Sequence, residues 1–362
     1  MRAKIENVLN KGQTMRFTYY NPVKIHFGVD FREALKHIAQ NEKKILLVST
    51  KRWRKQEGEI EHILGAKLTQ IIDEISPNPN LQHLQYLAQN LSDFDCIVAF
   101  GGGSVIDIAK FLSVKSDLQN GNLTIQSQSK HIYAFPTTSG TSSELTHWAT
   151  VWDNDAFIKH SLSDEILYPK EAFYDPRLTL SLSREMTIYT ALDALSHSFE
   201  SIWNNNANPI STHYALCAIE IILRDLPTLA ENLHSLELRT NLMQASMQAG
   251  LAFSNTQTAL AHALSYPLTM RFGTPHGLAC SFSLPLLLDC LPKQSHAYAL
   301  LSPFRARLLE VFEMLEISPN PKEYGLDSAF INEIFASLNA RAKNGIFDIW
   351  RVKRHFSDFT HS

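Results

Sequence analysis

The chain of 362 residues carries a formal net charge of -3, with 44% hydrophobic and 19% charged residues. This balance predicts no nucleic-acid partner and no binding to an anionic membrane surface. The apolar runs are too short to span a membrane, and residues 1–6 lack the apolar core of a signal peptide, which favours a cytoplasmic protein. The four cysteines form no Cys-x-x-Cys pair, as is typical of reduced, buried thiols. The length predicts two domains.

The first half of the chain has the pattern of an α/β domain. Residues 44–49 form a continuous apolar run, as expected of a parallel strand that is covered on both faces. The same reasoning predicts further elements, with strands at 17–29, 68–75, 96–100, 132–136, 150–152 and 172–174 and helices at 31–41 and 81–91. We therefore expect an N-terminal α/β nucleotide-binding domain with a parallel sheet.

Two loops of this domain have the composition of a dinucleotide site. The strand at 96–100 runs into Gly101-Gly102-Gly103-Ser104, where glycines let the backbone approach a ligand and free N–H groups attract phosphate. Ser104 is expected to cap the helix that follows. The strand at 132–136 ends in a hydroxyl-rich loop. Two such loops at one edge of a parallel sheet form a crevice suited to a dinucleotide. The alternative is a Ser/Thr-rich surface loop.

The second half of the chain is predicted to be helical. From residue 184 to 315 the pattern is almost entirely that of helices, interrupted mainly at 204–209 and 273–277. We place the domain boundary near residue 178, which gives an α/β domain at 1–178 and an all-helical domain at 179–362. The tail from 344 to 362 has no assignment.

A candidate metal site lies in the helical half. Asp193 and His197 are four residues apart on a predicted helix, so they share one face. His262 is expected on a helix that Pro267 disturbs, and His276 in a rigid Pro/Gly turn. One aspartate and three histidines make a site for a divalent ion. Because the chain has 15 histidines, the Asp-x-x-x-His pair alone is also compatible with an ordinary polar pair.

Four motifs coincide in this chain: Gly-Gly-Gly-Ser-x-x-Asp-x-Ala-Lys, Pro-Thr-Thr-x-Gly-Thr-x-Ser-Glu, Asp-x-x-x-His, and two histidines 14 residues apart with Pro-His-Gly at the second. Together they resemble the iron-containing (group III) alcohol dehydrogenase family over residues 20–292. Within that family, segments 146–153 and 266–280 are most similar to phosphonoacetaldehyde reductases, which form 2-hydroxyethylphosphonate. The resemblance implies a homodimer with its active site in a cleft between the two domains.

The resemblance also implies roles for particular residues. The metal would be Fe²⁺, the family default, or Zn²⁺, which fits the same ligands. It would be held by Asp193, His197, His262 and His276. The cofactor, NADP(H) or NAD(H), would be bound by Thr50, Asn78, Gly102, Gly103, Ser104, Asp107, Thr137, Thr138, Thr141 and Lys159. Lys159 matches a lysine beside the nicotinamide ribose and is also a catalytic candidate, and His147 is a candidate for substrate binding. The ion would polarise the oxygen of a small aldehyde or alcohol, and the cofactor would carry the hydride.

One position departs from the family pattern. Many members carry a further histidine four residues after the third ligand, where this chain has Tyr266. A tyrosine can relay a proton, but its ordinary pKa is about 10, against about 6.5 for histidine. A dehydroquinate-synthase-like lyase is a second hypothesis, for which an acidic residue and two histidines are expected. A non-catalytic protein that only binds nucleotide is a third.

Basic residues lead to two further expectations. Thr50 is neutral and is followed by Lys51, Arg52 and Arg54, which predicts a preference for NADP(H) because no carboxylate repels the 2′-phosphate. Arg271 lies between His262 and His276 in the sequence and is expected to bind an anionic group of the substrate. The alternatives are a solvated basic turn and a surface arginine paired with an acidic residue.

Overall fold

The computed structural model describes residues 16–56, 58–76, 79–119, 122–153 and 158–361. Six strands form one parallel sheet in the order β1-β10-β7-β4-β2-β3, and two antiparallel pairs, β5-β6 and β8-β9, accompany it. The strands are β1 Lys24–Phe27, β2 Ile45–Ser49, β3 Leu68–Ile72, β4 Cys96–Gly101, β5 Ser116–Gln119, β6 Asn122–Ile125, β7 His131–Pro136, β8 Trp148–Asp153, β9 Ile158–Ser163 and β10 Glu171–Tyr174.

Helices cover both faces of the parallel sheet, and this explains its composition. Every residue of β2 and of β4 is buried, so these strands are continuously apolar and show no alternation. One apolar cluster contains Leu46 and Ile97, and a separate cluster contains Leu47 and Val98. The helices of this half are α1 Phe31–Asn41, α2 Lys51–Gln56, α3 Glu59–Leu64, α4 Leu81–Gln89 and α5 Gly103–Leu112.

The second half of the chain is helical. Its helices are α6 Arg184–Ile202, α7 Pro209–Glu231, α8 Leu236–Thr256, α9 Leu260–Phe272, α10 His276–Ser281, α11 Leu284–Cys290, α12 His296–Leu301, α13 Arg305–Met314, α14 Ser328–Ala336 and α15 Ile349–His361. Helix α6 is buried from Ala191 to Ile202, as expected of a helix that other helices surround. The fold-class prediction is therefore confirmed. Among the described residues, no helix combines the length and apolarity needed to cross a membrane.

Several local predictions need correction. The strand predicted at 17–29 is limited to Lys24–Phe27, and the antiparallel pairs were not all predicted. Helix α9 runs from Leu260 to Phe272 with Pro267 inside it, so the helix continues past the proline that was expected to disturb it. His276 is the first residue of α10 and follows the turn at Gly273. The last strand ends at Tyr174 and α6 begins at Arg184, and the predicted domain boundary falls between them.

Candidate metal centre and cofactor cleft

Helix α6 presents two of the predicted metal ligands. Its first turn is capped by Ser183, whose side chain accepts a hydrogen bond from the Met186 N–H. Asp193 and His197 follow on one face of the helix, and His197 Nε2 lies 3.7 Å from Asp193 Oδ1. The His197 ring stacks on Phe253, with 3.8 Å between ring centroids. This packing gives the imidazole a defined orientation.

The other two predicted ligands converge on the same carboxylate. His262 Nε2 lies 3.3 Å from Asp193 Oδ1, and His276 Nε2 lies 3.8 Å from it. Ligand atoms about 2.1 Å from one ion are separated from each other by roughly 3–4 Å. Gly277 permits the approach of α10 to α6, because a Cβ there would collide with the Tyr189 carbonyl oxygen. Each of the three histidines thus places a ring nitrogen 3.3 to 3.8 Å from the same oxygen of Asp193, which is a spacing suited to ligands of one ion.

Glu200 supports this cluster and was missed in the sequence. It is fully buried, its Oε2 lies 2.6 Å from His262 Nδ1, and its Oε1 accepts a hydrogen bond from the His262 N–H. The carboxylate fixes the ring so that Nε2 points at Asp193, as second ligand layers commonly do. His262 Nε2 is buried and makes no hydrogen bond within the described residues. An available signal was the spacing of Asp193, His197 and Glu200, which puts all three on one face of α6.

Cys280 is a further potential donor that the sequence reasoning missed. Its Sγ lies 3.5 Å from Asp193 Oδ1, one helical turn after His276. The possible donor atoms of Asp193, His262, His276 and Cys280 all lie within 4.8 Å of one another, whereas His197 is not part of this tighter group. Burial raises the pKa of Cys280 to about 11, so the thiol is protonated at neutral pH. We retain the oxygen and nitrogen donors as the primary set.

The electrostatics of the cluster suit a cation. Burial lowers the pKa of His197 to about 3 and that of His276 to about 4, so both rings are neutral, as metal ligands must be. Burial opposes a charge on His262, but the Glu200 and Asp193 carboxylates outweigh it and raise the pKa of His262. The two buried carboxylates thus favour a positive charge between them, which a divalent ion supplies.

The glycine loop and the hydroxyl loop meet at the edge of the parallel sheet. Gly101 at the end of β4 is in register with Pro136 at the end of β7, and the Thr137 N–H donates to the Gly101 carbonyl at 3.1 Å. A Cβ at Gly103 would lie 2.5 Å from Thr141 Oγ1, so only glycine fits there. Because the two loops touch, they present one surface to a ligand.

Helix α5 begins at this surface. Its N-cap residue is Gly102, without a side-chain cap, so the expectation that Ser104 caps the helix is wrong. A small N-cap leaves the first N–H groups of the helix available to a phosphate. Thr138 packs against Gly102, where an added Cβ would be 3.3 Å from its hydroxyl oxygen.

Asp107 and Lys110 of α5 hold the end of the hydroxyl loop and the strand that follows it. Asp107 accepts hydrogen bonds from Ser143 Oγ at 2.6 Å and from the Thr150 N–H at 3.0 Å. Lys110 is fully buried and donates to the Ser143 and Trp148 carbonyl oxygens at 2.6 and 2.9 Å. Burial lowers the pKa of Lys110 to about 8. These contacts fix segment 143–150 against α5.

One cleft of about 220 Å³ joins the loops to the metal cluster. Its wall on the α/β side includes Gly103, Ser104, Asp107 and Thr141, and its opposite wall includes Asp193, His197, His262 and His276. Lys159, Tyr266 and Arg341 also line it. A concave site with a few convergent polar groups is typical of a small-molecule site.

Tyr266 lies between two cations. Lys159 Nζ is 3.6 Å from the centroid of its ring, and Arg341 Nη1 donates to its hydroxyl oxygen at 3.4 Å. Burial would raise the pKa of Tyr266, but the positive charges of Lys159 and Arg341 outweigh burial and lower it to about 8. The ring is parallel to that of His276, with 6.3 Å between centroids. Tyr266 therefore sits beside the metal cluster with an acidified hydroxyl.

Other predicted residues lie elsewhere. Arg271 does not line the cleft: its side chain is 55% exposed and pairs with Glu333 at 3.2 Å. It lines an adjoining pocket that shares Lys159 and Tyr266 with the cleft. His147 is likewise absent from the cleft wall and packs between Trp148 and Tyr168. Thr50 lines a separate surface pocket at the end of β2. Asn78 lies outside the described residues.

Comparisons with known proteins identify relatives over most of the chain. The family model for iron-containing alcohol dehydrogenase matches residues 22–176, and the C-terminal model of the Fe-containing alcohol dehydrogenase family matches residues 187–339. Long-chain-alcohol dehydrogenase 1 of Geobacillus thermodenitrificans is 30% identical, over 78% of this chain and 67% of that protein. Sulfoacetaldehyde reductase of Bilophila wadsworthia is 31% identical, over 59% of this chain and 57% of that protein.

Solved structures extend the likeness to the fold. The sulfoacetaldehyde reductase from Bifidobacterium kashiwanohense, in complex with NAD⁺, superposes with a TM-score of 0.89 at 23% identity, covering 96% of this chain and 100% of that one. The chain spans only 62% of the length of 1-propanol dehydrogenase of Salmonella typhimurium and 52% of that of a probable alcohol dehydrogenase of Escherichia coli. The matched ranges include both loops and all four candidate metal ligands. The chain belongs to the iron-containing alcohol dehydrogenase family.

Proposed function

We propose that this chain is a metal-dependent oxidoreductase that interconverts a small aldehyde and its alcohol with NAD(P)(H). The observation that carries the proposal is that the candidate metal ligands and the phosphate-type loops line one cleft. A hydride donor bound on one wall can reach a carbonyl held at the other. The set of one aspartate and three histidines favours this reaction over the lyase hypothesis.

The residues of the cleft would have separate roles in binding the metal and the cofactor. Asp193, His197, His262 and His276 would hold Fe²⁺, with Zn²⁺ suited to the same ligands. Such an ion supplies Lewis-acid stabilisation of negative charge on the substrate oxygen. Gly103 and Thr141 would support the pyrophosphate of the cofactor at the start of α5. The contacting loops would also keep the cofactor in one position.

Tyr266 and Lys159 are the proposed catalytic side chains. The Tyr266 hydroxyl lies within reach of Lys159 and Arg341, which stabilise its deprotonated form. A group with a pKa near the working pH exchanges protons efficiently. Tyr266 would therefore give a proton to the substrate oxygen during reduction and accept it during oxidation. Lys159 would in addition lie beside the nicotinamide ribose.

We further propose phosphonoacetaldehyde as the substrate, reduced to 2-hydroxyethylphosphonate. Segments 146–153 and 266–280 carry the resemblance to enzymes of that specificity. The related sulfoacetaldehyde reductase is named for a similarly charged aldehyde. The role of Arg271 in anion binding stays a prediction, tested by comparing Arg271→Ala on charged and neutral aldehydes. A homodimer also stays a prediction, to be measured by sedimentation.

The experiment combines turnover with metal analysis. Protein loaded with Fe²⁺ is mixed with NADPH and an aldehyde panel that includes phosphonoacetaldehyde, and nicotinamide absorbance is followed. His262→Ala should lose both bound metal and turnover, whereas the control His213→Ala, at an exposed position on α7, should keep both. Full metal occupancy in His262→Ala would overturn the ligand assignment. Absence of turnover with every aldehyde and both cofactors would overturn the function.

A further inference from the structure

We propose that Arg341 and Lys159 form an anion subsite of the cleft, which selects aldehydes that carry a phosphonate, sulfonate or carboxylate group. This inference rests on the proposed function and specifies its substrate class. The match to the family model ends at residue 339, two residues before Arg341. Arg341 therefore lies outside both matched ranges, whereas Lys159 lies within the range 22–176.

The segment around Arg341 is firmly attached to the helices of the metal site. Asn339 Oδ1 accepts a hydrogen bond from the Arg341 N–H at 3.0 Å, which fixes a short turn at Ala340–Asn344. Asn344 Nδ2 donates to the Thr258 carbonyl oxygen at 3.0 Å, just before α9. The Ile346 N–H donates to the carbonyl oxygen of Trp203, at the end of α6. The segment that carries Arg341 is thus hydrogen-bonded to the backbone just after α6 and just before α9, the helices that carry candidate metal ligands. These bonds keep the guanidinium at the cleft.

The guanidinium has only neutral partners. Arg341 Nη2 donates to Ser161 Oγ at 3.2 Å, and Nη1 donates to the Tyr266 hydroxyl oxygen at 3.4 Å. Within the described part of the chain, no carboxylate lies in ion-pair distance of Arg341. By contrast, Arg271 pairs with Glu333 and Arg305 pairs with Asp289. A partly buried arginine without a carboxylate has donors available to an anionic ligand.

Lys159 places a second positive charge next to the first. Its Nζ lies above the Tyr266 ring and 5.6 Å from the centroid of the Trp152 ring. Lys159 forms no ion pair with a carboxylate among the residues that the structure describes. Two cations on either side of one tyrosine raise the local positive potential. An oxoanion that accepts hydrogen bonds from both would neutralise this excess.

The geometry favours a substrate group over a cofactor phosphate as the anion. The start of α5, where N–H groups await the pyrophosphate, belongs to the α/β half, whereas Arg341 comes from the helical half. Tyr266 connects Arg341 to His276 of the metal cluster. A short aldehyde whose anion binds Arg341 would therefore present its carbonyl beside Tyr266. Arginine suits this task because it holds an oxoanion through two parallel hydrogen bonds.

The kinetic test compares charged and neutral aldehydes across matched variants. Arg341→Met removes a cation from beside Tyr266, so it should slow every aldehyde to some extent. The loss in kcat/KM should nevertheless be on the order of tenfold to a hundredfold larger for phosphonoacetaldehyde and sulfoacetaldehyde than for propanal. Arg341→Lys should retain part of the preference. The control Arg351→Met, at an exposed position on α15, should change neither. Equal losses for charged and neutral aldehydes would overturn the subsite, and so would a loss confined to the KM for NADPH.

A binding test separates this inference from the proposed function. Titration calorimetry with ethylphosphonate, which has no carbonyl group, measures the subsite without turnover. Binding to the wild-type protein that weakens about tenfold or more in Arg341→Met, at an unchanged melting temperature, would support the subsite. Equal binding to both proteins would overturn it, even if aldehydes are reduced. Conversely, a wild-type protein that binds ethylphosphonate but reduces no aldehyde would contradict the dehydrogenase function alone.

Discussion

Glu200 orients one of the candidate metal ligands, His262. Both of its oxygens contact His262. With Nδ1 engaged, the ring offers Nε2 to the position next to Asp193. A carboxylate behind a histidine ligand also makes that ligand more basic. The strength of the metal site should therefore depend on a residue that does not bind the ion.

Glu200→Gln is expected to weaken metal binding roughly tenfold to a hundredfold, because the amide keeps the shape but loses the charge. Competition with a coloured chelator measures the affinity. Glu185→Gln serves as the control, since Glu185 is an exposed residue in the first turn of the same helix. Metal affinity that is identical in Glu200→Gln and wild type would show that the contact with His262 is only structural.

The contact between the glycine loop and the hydroxyl loop depends on Gly103. We expect Gly103→Ala to raise the dissociation constant for the nicotinamide cofactor at least about tenfold, because the new Cβ displaces Thr141. Fluorescence titration with NADPH and NADH measures the effect. Gly58→Ala is the matched control, since a Cβ at Gly58 meets nothing within 4 Å. Cofactor binding unchanged by Gly103→Ala would remove these loops from the proposed site.

The expected preference for NADP(H) depends on the residues that follow β2. Thr50, Lys51 and Arg52 line a surface pocket there, in which Lys51 Nζ lies 3.1 Å from Glu74 Oε1. We predict a higher kcat/KM with NADPH than with NADH, and a loss of this advantage in Arg52→Gln, because each charge-assisted bond to the 2′-phosphate contributes about 1.5–3 kcal/mol. Asp73 in the same pocket opposes this preference. A wild-type enzyme that prefers NADH would show that the acidic side chains prevail.

At the scale of the whole molecule, Lys110 joins the α/β core to the cleft and makes stability depend on pH. Burial lowers its pKa from 10.5 to about 8. Below pH 8 the lysine is charged in both states, so its burial cost of about 3 kcal/mol is fully present. Between pH 8 and 10.5 the unfolded chain binds more protons than the folded protein, so the free energy of unfolding rises with pH.

Denaturant titrations of wild type and Lys110→Met at pH 7 and pH 10.5 isolate this contribution. The hydrogen bonds lost in Lys110→Met shift its stability by a constant amount, whereas the titration appears only in the wild type. The wild type should gain about 3 kcal/mol relative to the variant over this interval. Lys36→Met, at an exposed position on α1, should follow the wild type. A difference in unfolding free energy between wild type and Lys110→Met that is the same at both pH values would mean that burial does not lower the pKa of Lys110.

Periodicity and local composition were sufficient to predict much of the secondary structure and part of the candidate site. The buried strands β2 and β4, the glycine loop after β4, and the shared helix face of Asp193 and His197 were all predictable, because each depends on a pattern within about ten residues. Short strands such as β5 and β6 were not predicted, since four residues give little periodicity.

Only the tertiary structure decided which distant side chains meet. Spacing in the sequence suggested that Arg271, between two ligands, lies near the metal. Its side chain is exposed, pairs with Glu333 and lines a pocket that adjoins the cleft. Arg341 follows the last ligand by 65 residues and carries no motif, yet its turn is hydrogen-bonded to the ends of the ligand helices. A helical pattern defines a face but not the neighbour that covers it. The packing of helices against the sheet supplies that information.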